Sequence, residues 1–207
     1  PDSTLSNRFQ VDENNMPALN HFISLMYWRL KHNKKEIDRI LNESNLSDFG
    51  LTIRNKNYVR NEDCIETEKR LKYNEEFRKV FKFYMSLIDS VKRINFPTPY
   101  TILPSPKELP ALCSYNPVIF RKEKYPDVFK DDYIMPLSRD KMFFRKHTGK
   151  SFNMFQLKLM VDSLILKQAI KYVSCTDEKY IGMLKNYFDS NFSSTQDLRE
   201  KIFKLLE

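Results

Sequence analysis

The chain has 207 residues, of which 41% are hydrophobic and 14% aromatic, enough to fill a globular core. The chain has 35 lysines and arginines and 27 aspartates and glutamates, which gives a net charge of +8. This charge favours binding to an anionic partner such as nucleic acid or an acidic protein surface. The sequence is also rich in Asn, Phe, Tyr and Ile, as AT-biased codon usage would produce. The lysine excess therefore has a second explanation that involves no binding.

Glycine occurs only three times in the chain. Phosphate-binding and dinucleotide-binding loops need glycine where the backbone approaches a ligand, and tight hairpins need it in primed turns. We therefore expect neither a nucleotide-dependent enzyme nor a sheet rich in hairpins.

The three cysteines, Cys64, Cys113 and Cys175, are odd in number and far apart in sequence. This spacing predicts neither a disulfide framework nor a cysteine-based zinc site, and it is typical of a reducing compartment. No apolar run reaches the length of about 18 residues that a membrane helix needs. We expect an intracellular protein, in the nucleus rather than the cytoplasm, and a domain excised from a larger chain.

The first predicted helix follows an arm, residues 1–14, that has no periodic pattern. Apolar residues at helical spacing predict an amphipathic helix that opens near Pro17. The pattern is interrupted at His32 and Asn33, so we expect this helix to be bent or broken there.

Two further elements are predicted before the middle of the chain. Weak alternation predicts a short hairpin around residues 55–57. A charged stretch followed by a wide apolar stripe predicts one long helix from about Glu62 to Ile94.

Residues 97–136 hold eight of the ten prolines, which excludes a long regular element there. The segment carries too many apolar residues for a solvated tether. We therefore expect an ordered, irregular strap that crosses the helices, with at most a short helix over residues 106–113.

The last third of the chain is predicted to be helical. Residues 152–174 form its most hydrophobic helical pattern, preceded by Ser151 as a helix N-cap. Thr176 is the predicted cap of the next helix, and Ser194 with Asp197 makes a capping-box signature ahead of the last one.

Together these elements predict a mostly α fold. We expect a single irregular domain over residues 15–207 with about six helices, and the proline-rich strap, residues 97–136, between its two helical halves.

The stretch FFRKHTGKSF, residues 143–152, ends in a Gly-Lys-Ser that resembles a fragment of a phosphate-binding loop. The Walker pattern requires glycine at position 144, where this chain has Phe144, because the curved backbone of that loop presents its amides to the phosphates. A capped helix start explains the glycine and serine equally well.

Basic residues gather around this predicted helix start. A helix N-terminus carries partial positive charge and free amides, so added cations predict a site for a phosphate or a nucleic-acid backbone. Phe143 and Phe144 either stack on bases or belong to the core. The candidate nucleic-acid or anion-binding residues, which we call the basic segment, are Arg139, Lys141, Arg145, Lys146, His147 and Lys150.

The sequence offers little support for catalysis. The three histidines, His21, His32 and His147, are widely separated, and no pair has the spacing that places two imidazoles on one helix face. Cys113 lies among prolines without a nearby candidate base. We expect no catalytic residues, no metal site and no cofactor.

Two functions remain. The first is a non-catalytic helical protein-interaction domain, a scaffold or adaptor subunit of an intracellular assembly, whose proline-rich strap shapes a groove for a protein partner. The alternative is a nucleic-acid-binding module that uses the basic segment. An enzyme with dispersed catalytic residues is a third, weaker hypothesis, and we expect no membrane partner.

Overall fold

The computed structural model describes residues 16–29, 34–49, 51, 54–55, 58–59, 61–91, 100–122, 131–146 and 152–207. These ranges hold the α-helices α1 (Met16–Arg29), α2 (Lys34–Glu43), α3 (Asn61–Tyr73), α4 (Glu75–Val91), α5 (Met154–Gln168), α6 (Glu178–Asn191) and α7 (Thr195–Leu206). They also hold the strands β1 (Arg54–Asn55), β2 (Tyr58–Val59), β3 (Thr101–Pro104), β4 (Leu112–Ser114), β5 (Ile119–Phe120), β6 (Tyr133–Ser138), β7 (Lys141–Phe144) and β8 (Val173–Cys175).

The described residues fall into two compact units, one within residues 16–95 and the other within residues 96–207, called here the N-terminal and C-terminal units. The mostly α prediction is confirmed in its coarse form by the seven helices of the described ranges. The prediction of a single domain is not confirmed. The predicted arm, residues 1–14, lies outside the described residues.

The N-terminal unit is helical, and α1 packs most extensively against α4. Apolar residues repeat along α1 at helical spacing, so Leu19, Ile23 and Tyr27 lie on one face and are buried. Lys82 on α4 donates to Asp38 on α2 at 2.8 Å. α1 ends at Arg29 and α2 begins at Lys34, and the predicted break at His32 and Asn33 lies outside the described residues.

A helix boundary at Asn74 was missed. The Asn74 amide donates to the Arg70 carbonyl at 2.8 Å and closes α3, while the Asn74 side chain accepts from the Phe77 amide at 2.9 Å and opens α4. The side chain of asparagine commonly accepts a hydrogen bond from a free backbone amide in the first turn of a helix in this way. The predicted single helix from Glu62 to Ile94 was therefore wrong. The spacing of apolar residues does not show where a polar side chain caps a helix.

This cap gives a testable expectation. Asn74→Ala should lower the free energy of unfolding by about 1 kcal/mol, because it leaves the first amides of α4 without an acceptor. The same replacement at Asn186, which lies exposed within α6, should raise stability by a few tenths of a kcal/mol through helix propensity alone. Urea titration of both variants checks the pair, and equal effects would contradict a capping role for Asn74.

The short hairpin predicted around residues 55–57 is confirmed in its strands. β1 and β2 pair antiparallel, with Arg54 opposite Val59 and Asn55 opposite Tyr58. The two residues between the strands lie outside the described ranges.

The C-terminal unit combines helices with sheets. β3, β7, β6 and β5 form a four-stranded antiparallel sheet in that order, and β4 pairs with β8 in a second, two-stranded sheet. α5 contacts β4, β5, α6 and α7. The core of the unit is formed by side chains from all these elements, among them Leu103, Ile134, Phe144, Leu157, Leu164, Leu184 and Phe203.

The described part of the proline-rich strap contains short strands. It supplies β3, β4, β5 and the start of β6, and residues 106–111 form a turn and a loop that lead into β4. Proline is tolerated at strand ends and where no ladder bond is required, so a high proline content shortened the strands without preventing them. The predicted short helix over residues 106–113 is not formed, and the prediction of an irregular strap is not confirmed over the described residues.

The β6–β7 hairpin turns without glycine. Arg139 and Asp140 connect the strands, and Ser138 donates to the Asp140 carboxylate at 2.7 Å, a hydrogen bond that lowers the pKa of Asp140. The pairing register shifts between Pro136 and Ser138, and such a bulge relaxes the geometry of the turn. Glycine scarcity therefore did not exclude hairpins.

The helix caps of this unit differ in part from those predicted. Asn153 caps α5 and Asp177 caps α6, where Ser151 and Thr176 were predicted. Ser194 caps α7 and accepts from the Asp197 amide, as predicted. Among the described residues, no helix combines the length and apolar character needed to cross a bilayer.

Candidate functional site

A cleft opens in the C-terminal unit where β5 separates from β6. Ile119 lies opposite Ile134, and the Arg121 amide donates to the Asp132 carbonyl at 2.8 Å. Continuing this register places Pro117 opposite Pro136. Hydrogen-bonded pairs alternate along an antiparallel ladder, so the two prolines occupy the next hydrogen-bonding position. Neither has an N–H to donate, and the ladder ends there.

Hydrogen bonds from the end of α5 hold the segment that precedes β5 away from β6. The Gln168 side-chain amide, at the end of α5, donates to the carbonyls of Asn116 and Val118 at 2.8 and 3.1 Å. The Ile170 amide donates to the Tyr115 hydroxyl at 2.8 Å. The chain before β5 is thereby attached to the end of α5 and pairs with β8 instead of extending the large sheet.

The space between the separated strands is a cavity of about 230 Å³. It is lined by residues 111–114 and Pro117 on one side and by residues 136–139 on the other, and α5 contributes Lys158. This is smaller than the roughly 300–1,000 Å³ of common small-molecule sites. Two of the residues that line the cavity, Arg139 and Lys158, are basic, and none of them is acidic.

Lys158 belongs to a buried polar cluster. Its ammonium forms an ion pair with Asp162, one helical turn further along α5, and Tyr180 on α6 donates to the same carboxylate oxygen at 2.8 Å. All three side chains are buried. The second oxygen of Asp162, Oδ1, has no hydrogen-bond partner in the structure.

Burial determines the ionisation of this cluster. Desolvation raises the pKa of Asp162 above its ordinary value, and Lys158 and Tyr180 oppose that rise because they stabilise the carboxylate. Desolvation and the neighbouring Asp162 carboxylate also raise the pKa of Tyr180, so the phenol stays protonated and remains a donor. Lys158, which lines the cavity, is therefore held in a buried ion pair with Asp162.

The described residues of the basic segment are distributed along β7 and its two ends. Arg139 lies in the β6–β7 turn and Lys141 lies on β7, while Arg145 and Lys146 follow the far end of that strand. β7 spans four residues, which separates the turn from the strand end by more than 10 Å. His147 and Lys150 lie outside the described residues.

The two cations that follow β7 have intramolecular partners, and Arg139 in the β6–β7 turn donates to the Lys107 carbonyl at 3.2 Å. The Arg145 guanidinium donates to the Asp131 carbonyl at 2.9 Å. Lys146 lies 3.3 Å from Glu207 and 3.5 Å from Asp132, and hydrogen bonds from Arg121 and Lys146 lower the pKa of Glu207. This end of the segment therefore carries a mixed ion cluster.

The aromatic residues of the segment belong to the core. Phe143 and Phe144 are fully buried, and Phe143 stacks between Tyr100 and Tyr133 with ring centroids 5.7 Å from each. Of the two alternatives for these rings, core packing is confirmed.

The buried cluster was not predicted, although the sequence contains a signal for it. Lys158 and Asp162 are four residues apart within the most apolar helical pattern of the chain, where charged residues are rare unless they are paired. The sequence does not indicate the contact of Tyr180 or the cavity in this way, because both depend on how α6 and the strands pack on α5.

A separate surface occurs in the N-terminal unit. Val80, Phe83 and Tyr84 are 53%, 47% and 57% exposed, and their spacing places them on one face of α4. The rings of Phe83 and Tyr84 meet edge to face with centroids 6.2 Å apart. Phe81 and Met85 on the same helix are buried. We call the three exposed residues the α4 stripe.

Within the described ranges, no group of three or more His, Cys, Asp and Glu residues is arranged to hold a metal ion. Comparison of the chain with models of protein families, with curated proteins and with solved structures finds no match in any of the three.

Proposed function

We propose that the chain is a non-catalytic protein-interaction module, of the scaffold or adaptor kind, that binds an amphipathic helix of a partner protein on the α4 stripe. The observation that carries this proposal is the exposure of Val80, Phe83 and Tyr84, each about half exposed on one helix face. Contiguous exposed apolar side chains are typical of protein–protein contacts.

The spacing of the α4 stripe favours a helical partner. Residues at i, i+3 and i+4 form a ridge that fits the groove of a second helix, and the apolar contacts of helix-in-groove recognition repeat at the same intervals. Burying a large apolar side chain completely contributes about 1.5–3 kcal/mol, so covering three half-exposed ones contributes roughly 2–4 kcal/mol. Aromatic residues contribute disproportionately to such interfaces.

The non-catalytic part of the proposal rests on the buried cluster. Asp162 and Tyr180 have shifted pKa values, as catalytic groups often do, but burial causes the shifts and the two groups are hydrogen-bonded to each other. The alternative, nucleic-acid binding through the basic segment, has less support because Arg145 and Lys146 contact the protein's own acceptors.

The proposal is tested with a display library of peptides that carry apolar residues at helical i, i+3, i+4 and i+7 positions. We expect selection on the wild-type protein to enrich helical peptides that bind at about micromolar Kd. Binding should weaken at least about tenfold in the Phe83→Ser/Tyr84→Ser variant, since each ring removed loses its buried area. Isothermal titration calorimetry measures both affinities.

The matched control is Ile170→Ser/Tyr172→Ser, which removes two exposed apolar side chains from the C-terminal unit and should leave peptide binding unchanged. Equal binding by the Phe83→Ser/Tyr84→Ser variant, or no enriched helical peptide, would contradict the proposal. Sedimentation of the free protein tests whether a second copy of the chain covers the α4 stripe. A wild-type dimer that becomes monomeric in the stripe variant would replace the partner helix with a second copy of the chain.

A further inference from the structure

The cleft between β4 and β6 has the composition of an anion-binding site. Its walls hold two basic residues and no acidic one, and Lys158 is buried on α5 while Arg139 is exposed in the β6–β7 turn. A buried ammonium beside a cavity acts in an environment of lower dielectric than water, where its interaction with an anionic group is strengthened. This cleft belongs to the C-terminal unit, whereas the α4 stripe belongs to the N-terminal unit.

Lys158 retains hydrogen-bonding capacity toward a ligand. An ammonium group has three N–H donors, and the structure shows Lys158 donating to Asp162. Lys158 has no second hydrogen-bond acceptor among the described residues. Asp162 compensates one positive charge, so the site suits a singly charged acceptor group better than a doubly charged phosphate.

Pro136 supplies the complementary acceptor. The Arg145 amide donates to the Tyr133 carbonyl on the β7 side, and the Arg121 amide donates to the Asp132 carbonyl on the β5 side. Polar backbone groups of a strand alternate between its two edges, so the Pro136 carbonyl faces the β5 side, where the ladder has ended. It is an acceptor at the cleft wall, suited to an N–H group of a ligand.

We propose that this cleft binds a carboxylate attached to an amide-bearing carbon, as in an N-acylated amino acid or the C-terminal residue of a peptide. The carboxylate accepts from Lys158, and the adjacent N–H donates to the Pro136 carbonyl. A cavity of about 230 Å³ accommodates one small residue rather than a longer segment. Leu137 and Ala111 provide apolar contacts for its side chain.

Titration of the ¹⁵N-labelled protein with N-acetyl-alanyl-leucine tests the site. We expect the amide signals of residues 111–116 and 137–139 to shift with a Kd of about 1 mM or tighter. The C-terminal amide of the same peptide should bind at least about tenfold more weakly, because it lacks the charge that Lys158 recognises. Lys158→Met should abolish the shifts of the free acid.

Two variants control this result. Lys167→Met removes a lysine of the same helix that pairs with Asp189 at 3.0 Å, and it should leave the affinity within about twofold. Ala111→Trp fills the cavity while keeping the buried ion pair, so its loss of binding supports the site even if Lys158→Met does not fold.

Acetate and inorganic phosphate complete the experiment. A peptide acid that binds at least about tenfold more tightly than acetate supports recognition of the adjacent N–H, and acetate binding as tightly as the peptide acid overturns the proposal because acetate has no N–H to donate. The proposal is overturned if no carboxylate shifts these amides, if the acid and its amide bind equally, or if phosphate binds more tightly than both carboxylates.

Discussion

Replacing Asp162 by alanine should lower the free energy of unfolding of the C-terminal unit by about 3–5 kcal/mol. The substitution leaves the Lys158 ammonium buried without its counter-ion and removes the acceptor of the Tyr180 hydroxyl. A buried charge without a counter-ion lowers the stability of a protein core strongly, because the charge has lost its hydration. Urea unfolding followed by far-ultraviolet circular dichroism measures the loss.

An exposed ion pair between α5 and α6 provides the matched control. Asp189→Ala removes the partner of Lys167, and since Asp189 is 65% exposed it should cost less than about 1 kcal/mol. The double variant Lys158→Met/Asp162→Leu should recover most of the stability that Asp162→Ala loses, because an apolar pair needs no compensation. Equal losses for Asp162→Ala and Asp189→Ala would contradict a buried pair.

Phe143→Ala should lower the free energy of unfolding by about 3–5 kcal/mol, through lost burial and the cavity that remains. Phe143 is fully buried on a central strand and stacks with Tyr100 and Tyr133. The same denaturant titration measures this effect. Fluorescence of Trp28, which belongs to the N-terminal unit, records the unfolding of that unit separately.

Phe155→Ala is the control for this substitution. Phe155 lies in the first turn of α5 and is 46% exposed, so its removal should change stability by only about 0.5 kcal/mol. If Phe143→Ala left stability unchanged and instead weakened nucleic-acid binding, the ring would be an exposed stacking platform, and the alternative function would gain support.

Local patterns in the sequence were sufficient for most helices. Apolar repeats identified α1, α2 and α5 because helix hydrogen bonds connect residues four apart, and a buried face repeats at the same interval. Ser194 and Asp197 were readable as a cap for the same reason. The break at Asn74 was missed, although it too is local, because a carboxamide that caps one helix can equally lie exposed within another.

Strands in the proline-rich segment could not be predicted in the same way. β3 pairs with β7 across 36 intervening residues, with Thr101 opposite Phe144, and neither strand has a long alternating pattern of its own. Their stability comes from partners and from burial against the core, so short sequences around them are uninformative. The basic segment was misplaced as a consequence, because Lys141 lies on β7 and not before a helix.

The sequence by itself determined the mostly helical character, the position of the most apolar helix and the presence of a charged pair within it, since each depends on residues a few positions apart. Only the tertiary structure decided that β5 pairs with β6 at Ile119 and Ile134, that this pairing ends before Pro117 and Pro136, and that Lys158 borders the cavity there. The physical reason is that a proline without an N–H interrupts a sheet only where a neighbouring strand presents a carbonyl to it. Which strands become neighbours depends on residues far apart in sequence.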